Sequence, residues 1–337
     1  MRAARLRISP GNTLTEIQNT ETEEPTSFLI GADEDGMRLD AYLAERIEGW
    51  SRSRLQKLVE NEDIIVNDKA VKSSYKLHEG DVVDVDLVEL SAVKFAAEDI
   101  PLSIVFEDEY LAVINKPSGM VVHPGTGVQS GTLANAIAYH FVIEQSAASG
   151  NQAESRVGIV HRLDKDTSGL IVVAKNEETH EALSEQFRER QVYKSYMALV
   201  HGQTDENTGK VDAAIGRNKH NRLRMKVSPS GRTALSLWKV RNRYDKFTLL
   251  DVEIKTGRTH QIRVHMGYIN HPVVGDEIYN EGRDNTIADI NVRNAVNTMR
   301  RFFLHAEKLS FTHPKTGIRM DFVQELPPEL KDFLKKL

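Results

Sequence analysis

Residues 161–175 read HRLDKDTSGLIVVAK. Two aspartates, a threonine and a serine crowd a glycine at the mouth of an apolar run. Asp164, Asp166, Ser168 and Gly169 match the opening D-x-D-x-S-G of a calcium-binding EF-hand loop, which closes on a bidentate acid at its twelfth position. Counting from Asp164, that position is Lys175, a cation where the site needs its strongest anion. The run at 170–174 is short, apolar and rich in β-branched residues, so it reads as a buried strand rather than the exiting helix of such a loop. Two readings of Asp164 remain open. It is a turn residue bonding its own backbone, or a carboxylate kept ionised by a nearby cation such as Arg162 and held still by the sheet.

Outward from this strand, residues 101–330 carry further strands and a few helices. SIVFED and YLAVINK read as strands about a tight turn, and TLANAIAYHFV as a helix. Asn176 is placed to cap a helix over NEETHEALSEQFRER, with Leu183 and Phe187 at i, i+4. VYKSYMALV, TLLDVEI, LSFTHP and RMDFV read as strands. Strands outnumber helices and do not alternate with them regularly, which predicts an α+β fold around a largely antiparallel sheet. No solenoid repeat, glycine-rich nucleotide fingerprint or Walker loop is present.

Ahead of this region lies a compact pattern. MRLDAYLAERIEGW spaces Leu39, Tyr42, Leu43 and Ile47 helically; SRSRLQKLVENEDIIV offers Ser51 or Ser53 as an N-cap and spaces Leu55, Leu58 and Val59 the same way. The strands IIVN and DVVDVDLV follow, with turn-forming NDK and HEGD between them. The expected organisation is a flexible tail at 1–36, a helix–helix–hairpin domain at 37–88, a linker at 89–100 and a large domain at 101–337. The acidic patches TETEE and ADEDG suit a mobile lead-in. Arg2, Arg5 and Arg7 with no earlier acid than Glu16 resemble a transit peptide only faintly, and a plain tail is the simpler expectation.

The chain has 337 residues, of which 40% are hydrophobic and 28% charged, so a core is affordable in each of two domains. No run approaches the ~20 apolar residues of a membrane-spanning helix. The absence of cysteine excludes disulfides, thiolate metal sites and cysteine nucleophiles, and it fits a reducing compartment such as the cytoplasm. A net charge of −5 argues against nucleic-acid binding through bulk charge, so basic residues would have to cluster. They do, in IGRNKHNRLRMKV at 215–227, with Arg217, Lys219, Arg222, Arg224 and Lys226, and in SRSRLQK, with Arg52, Arg54 and Lys57. Either cluster alone reads as a solvated face; two in separate parts of one acidic protein favour a polyanionic partner.

TGRTHQIRVHM at 256–266 holds Arg258, His260, Arg263 and His265. Histidines five apart share neither one helical face nor one strand face, so they do not form a metal pair. The arginines suit carboxylate or phosphate pairing. Tyr196 in VYKSYMALV reads alone as half-buried strand packing.

Together these strings resemble one family. HRLDKDTSGLIVVAK looks like the signature of the pseudouridine synthases of ribosomal and transfer RNA, in the branch typified by the large-ribosomal-subunit synthase D. INKPSGMVVHPG ahead of it, from Ile114, and VYKSYMALV, TGRTHQIRVHM, VVGDEIY and FLHAEKLSFTHP after it appear in the family's order and at consistent spacing, and residues 37–85 resemble an S4-like RNA-binding domain. The resemblance implies an isomerase that turns uridine into pseudouridine without metal or organic cofactor. Asp164 would be the catalytic aspartate, Tyr196 the residue stacking on the base, and Arg263 the partner that keeps Asp164 ionised. Arg162 would help fill the space left by a flipped base, while Arg258 and His260 would support the loop or touch phosphate. The partner would be RNA, foremost large-subunit ribosomal RNA or its assembly precursor, met by a monomer away from any membrane. Independently, flipping a base costs a few kcal/mol, and an aromatic face such as Tyr196 recovers about 1–3 kcal/mol by stacking. The competing reading is a non-catalytic RNA-binding or ribosome-assembly protein of the same fold; the intact Asp164, Tyr196 and Arg263 set speaks for the enzyme.

Overall fold

The computed structural model describes residues 26–47, 52–60, 63–85, 96–124, 128–141, 158–218 and 224–337. The caps Ser51 and Ser53, the side chains of Arg54 and Lys57, Lys219, Arg222, the tail at 1–25 and most of the linker lie outside what it describes. The chain divides into two compact units, with the main boundary between Ser91 and Ala92.

In the first unit β1 (Thr26–Leu29), α1 (Leu39–Arg46), α2 (Arg52–Glu60), β2 (Ile64–Val66) and β3 (Val82–Val85) enclose one core. The strands lie in the order β1-β3-β2, antiparallel throughout. Asn67 and Asp68 turn the chain after β2 with positive φ, in the left-handed conformation that Asn and Asp tolerate. Leu39, Tyr42 and Leu43 of α1 and Leu55, Leu58 and Val59 of α2 are buried together, as their spacing predicts. Residues 26–36 are not part of a flexible tail, as the sequence suggested. Thr26–Leu29 pairs residue by residue with Val82–Val85, and Ile30 is buried. The acidic sequence around this short edge strand hid it, because only one side of the strand is bonded and its pairing partner lies more than fifty residues away.

Asp40 ties the two helices together. Its carboxylate is fully buried and accepts from Arg38 (2.9 and 3.0 Å), Arg52 (2.9 Å) and Gln56 (2.6 Å). Arg52 is therefore not simply an outward basic residue: its guanidinium is held on α1 while its stem stays half exposed.

The second unit is built on a nine-stranded sheet. Its elements in chain order are β4 (Ile104–Glu107), β5 (Leu111–Lys116), α3 (Leu133–His140), β6 (Ser168–Ala174), α4 (Glu177–Arg188), β7 (Tyr193–His201), β8 (Thr208–Asp212), β9 (Ile215–Arg217), β10 (Met225–Val227), β11 (Leu235–Arg243), β12 (Phe247–Ile254), α5 (Gln261–Tyr268), α6 (Ile290–Met299), β13 (Leu304–Thr312), β14 (Arg319–Val323) and α7 (Pro328–Leu334). The sheet runs β4-β5-β6-β13-β7-β12-β11-β8, with β14 paired to β13; β9 and β10 form a separate hairpin. Every pairing is antiparallel except β13 with β6. The fold is thus α+β with a mostly antiparallel sheet.

Period-two alternation decides which side chains face the site. Ile171 and Val173 of β6, Tyr196, Ala198 and Val200 of β7 and Leu250 and Val252 of β12 share one core with α3 and α5. The intervening residues pack on the opposite face, against α4 at one end and against α6 and α7 at the other. Because β6 is buried on both faces along its whole length, the loop before it, which carries Asp164, starts from a rigid base. Gly169 is required at the foot of this strand: its φ is +112°, and a Cβ there would lie 2.2 Å from the Ala306 carbonyl oxygen of β13.

Candidate active site

The Asp164 loop is fixed by its backbone. The Thr167 amide donates to the Asp164 carbonyl (3.1 Å), the Gly119 amide to Lys165 O (2.9 Å) and Ser118 Oγ to Asp166 O (3.0 Å). Beneath it the fully buried Lys116 at the end of β5 donates to Pro117 O (2.7 Å), Met120 O (2.9 Å) and Lys165 O (3.0 Å). Burial, with the Arg301 charge, pushes its pKa down to about 7, whereas three carbonyls need all three ammonium protons. That geometry favours the charged form. The sequence gives Lys116 no mark of this role, since a lysine closing a strand ahead of Pro117 ordinarily reaches solvent.

From the other side, α5 brings Arg263 to the loop. The Arg263 guanidinium is 4% exposed; Nη1 donates to Asp164 Oδ2 at 3.2 Å, while Nε and Nη2 donate to Asp276 at 2.7 and 2.8 Å. The pairing with Asp164 inferred from sequence is present, but the fork is seated mainly on Asp276, which is fully buried. Asp276 Oδ1 also accepts the Ile278 and Tyr279 amides (3.1 and 3.2 Å). Burial works against the guanidinium charge, but the Asp276 hydrogen bonds and charge outweigh it and raise the pKa. The guanidinium also lies 4.3 Å from the Phe302 ring centroid and 5.0 Å from that of Tyr279, two aromatic faces that favour its charge. Asp276 was missed in the sequence because nothing local links it to an arginine thirteen residues earlier; its only signal was its place in VVGDEIY.

Tyr196 lies on the same side of the sheet, 7% exposed. Burial and the Asp164 charge raise its phenol above the usual range, so it stays neutral. His260 opens α5 in the left-handed conformation (φ 56°), and its Nδ1 shares a 2.8 Å hydrogen bond with Tyr279 Oη. Burial lowers its pKa, opposed in part by Asp164. Arg258 is a brace: its Nε donates to Thr233 O (3.1 Å) and its amide to Gln261 Oε1 (3.1 Å). His265 is buried between Ser236 Oγ and Ala213 O, apart from Asp164. Arg162 is exposed at the loop. Arg217 is exposed on the β9–β10 hairpin, whereas Arg224 turns inward to the Ile278 carbonyl. Among the described residues no three His, Asp or Glu side chains are grouped to hold a metal ion.

The arrangement presents one carboxylate, 17% exposed, at the rim of an apolar sheet face beside a buried phenol, backed by a buried cation seated on a second, buried carboxylate. Such a set can hold a negative charge against a reacting base without a metal. The pattern of the RNA pseudouridylate synthase family matches residues 110–268, and that of the S4 domain residues 37–83. The chain belongs to the RNA pseudouridylate synthases and carries an S4 domain ahead of the catalytic one. It is 42% identical to an uncharacterized RNA pseudouridine synthase of Bacillus subtilis over 89% of this chain and 94% of that one. It is 40% identical to the ribosomal large subunit pseudouridine synthase D of Xylella fastidiosa, over 90% and 89% respectively. The solved structure of human RNA pseudouridylate synthase domain containing 1 superimposes with a TM-score of 0.52 at 26% identity, covering 70% of this chain and 89% of that one. The chain is an isomerase that acts on RNA.

Proposed function

We propose that this synthase isomerises specific uridines of large-subunit ribosomal RNA, with Asp164 as the catalytic carboxylate and the target base flipped out of the RNA. The observation that carries this reading is the seating of Asp164: its carboxylate is the partly exposed end of a chain Asp164–Arg263–Asp276 whose other two members are buried. The buried guanidinium, itself seated on Asp276, holds Asp164 in place through a charge-assisted hydrogen bond and leaves its remaining oxygen free to face a substrate. Tyr196, buried on the same sheet face, would meet a flipped uracil with its neutral ring, and stacking would offset part of the unstacking cost. Arg162, exposed two residues before Asp164, would enter the space the base leaves. The basic hairpin bearing Arg217 and Arg222, and the S4 unit bearing Arg54 and Lys57, would hold phosphates and so position the RNA without reading its sequence. The ribosomal target is supported by the names of relatives such as the Xylella fastidiosa synthase D. The enzyme would work as a cytoplasmic monomer without cofactor.

The test is Asp164→Asn, an isostere without charge. It should abolish pseudouridine formation in large-subunit ribosomal RNA while RNA affinity stays within about tenfold, because phosphate contacts are untouched. Substantial turnover by the purified variant would remove Asp164 from the centre of the reaction. Mapping pseudouridine across ribosomal RNA from cells with and without the protein identifies the target; an unchanged map would refute the ribosomal assignment.

A further inference from the structure

Tyr279 joins two parts of the catalytic unit that otherwise have separate tasks. Its hydroxyl accepts the Met225 amide of β10 at 2.8 Å and shares a 2.8 Å hydrogen bond with His260 Nδ1. Its ring lies beside the Arg263 guanidinium, 5.0 Å from centroid to carbon. Its own amide donates to the Asp276 oxygen that also receives Arg263 Nη2. One residue before it, the Ile278 carbonyl accepts the Arg224 guanidinium from the hairpin. Apolar packing completes the joint: Met225, Val227 and Tyr279 pack against Ile215, Ala234 and Val264, the last being the neighbour of Arg263 on α5.

The short segment 276–279 therefore touches the basic hairpin on one side and the Asp164–Arg263 pair on the other. Phosphates drawn to Arg217 and Lys226, both exposed, pull on a hairpin strand whose backbone is bonded to Tyr279. Any displacement of β10 must break the Met225 bond or move the phenol, and the phenol cannot move without disturbing His260 and the face of Arg263. We propose that Tyr279 is a positioning residue that makes the setting of Arg263, and through it Asp164, depend on the position of the 215–227 hairpin. RNA held by the hairpin then raises the rate of the chemical step as well as the affinity. The inference rests on the reading of Asp164 as the catalytic carboxylate.

The test is a double-mutant cycle between Tyr279→Phe, which keeps the ring and removes the hydroxyl, and the hairpin pair Arg217→Gln/Lys226→Gln. The readouts are the single-turnover rate of pseudouridine formation at saturating enzyme and the enzyme concentration at half-saturation, on an unmodified large-subunit ribosomal RNA transcript. In the parent, the hairpin pair should lower the saturating rate about tenfold in addition to raising the half-saturating concentration. Tyr279→Phe should lower the saturating rate about tenfold with little effect on half-saturation. In the combined variant the rate should fall no further, while the half-saturating concentration still rises. Rate effects that multiply, or a hairpin pair that alters only half-saturation in the parent, would overturn the proposal. A second measurement avoids altering Tyr279. In Asp164→Asn protein, bound RNA should slow amide exchange at Ile278 and Tyr279 together with the hairpin, Met225 included. Protection of the hairpin alone would show that nothing is transmitted. Turnover by Asp164→Asn would fault the catalytic reading instead, and leaves the coupling to be judged by the exchange pattern.

Discussion

Replacing Asp276 by Asn isolates what holds Arg263. The asparagine carbonyl can occupy the Oδ1 position, where it still accepts Nη2 and the Ile278 and Tyr279 amides. Its NH2 must then face Arg263 Nε, so a 2.7 Å charged hydrogen bond becomes a donor–donor contact. Breaking a buried ion pair from one side costs about 3–5 kcal/mol. Asp164 remains on Nη1 and the partner oxygen survives, so the low end, about 3 kcal/mol, applies. For a domain of this size each kcal/mol moves the midpoint by roughly 2–4 °C, which gives a fall of about 6–12 °C in the catalytic unit's transition, followed by circular dichroism. With its main anchor weakened, Arg263 should shift toward Asp164, and turnover should drop by about tenfold or more, the size expected of roughly 1.4 kcal/mol of lost positioning. A midpoint within about 2 °C of the parent together with unchanged turnover would refute the claim that Asp276 seats Arg263.

Tyr196→Phe keeps the stacking surface and should retain most activity, while Tyr196→Ala should lose about 1–3 kcal/mol of base stacking and turn over slowly; equal activity in both would assign Tyr196 to packing alone. The Asp40 carboxyl is held well below the usual range by the Arg38 hydrogen bond, with Arg52 and Gln56 adding to it against the cost of burial. A depressed folded-state pKa stabilises the S4 unit above the ordinary carboxylate value of about 3.9 and is lost as pH falls below it. Asp40→Asn should thus weaken this unit by about 1–3 kcal/mol at pH 7 and flatten its acid unfolding; an equally steep acid profile in the variant would place the proton uptake elsewhere. Neutralising Arg54 and Lys57 should reduce the slope of log affinity against log salt by about 0.7–0.9 for each lost phosphate contact. Arg52 is left intact in that variant, since it also bonds buried Asp40 and its removal would disturb the fold of the unit; an unchanged slope would make the S4 unit a spacer.

Much of this was legible because it is local. The all-buried β6 showed itself as an uninterrupted apolar run, α4 through Asn176, whose side chain accepts the Thr179 amide at 2.9 Å, and β7 through its apolar residues. Asp164 and Arg263 were readable from their motifs, and the structure brings them within 3.2 Å. Contacts whose partners carry no motif of their own were not readable. Asp276 behind Arg263, Lys116 beneath Lys165 and Arg52 on Asp40 each pair residues whose neighbours in sequence give no sign of the partner. The short edge strand β1 failed for a related reason: four residues with one bonded side carry too little pattern to stand out from acidic surroundings.

The position of β13 has a consequence for how the enzyme comes into being. This strand, residues 304–312, lies between β6 and β7 in the middle of the sheet. Until it is inserted, the strand that anchors Asp164 and the strand that carries Tyr196 belong to separate half-sheets. Pairings of such long sequence separation form late and slowly. A growing chain can therefore complete its S4 unit well before Asp164 and Tyr196 share one sheet, and a nascent or truncated chain ending before residue 304 would leave the two on separate half-sheets.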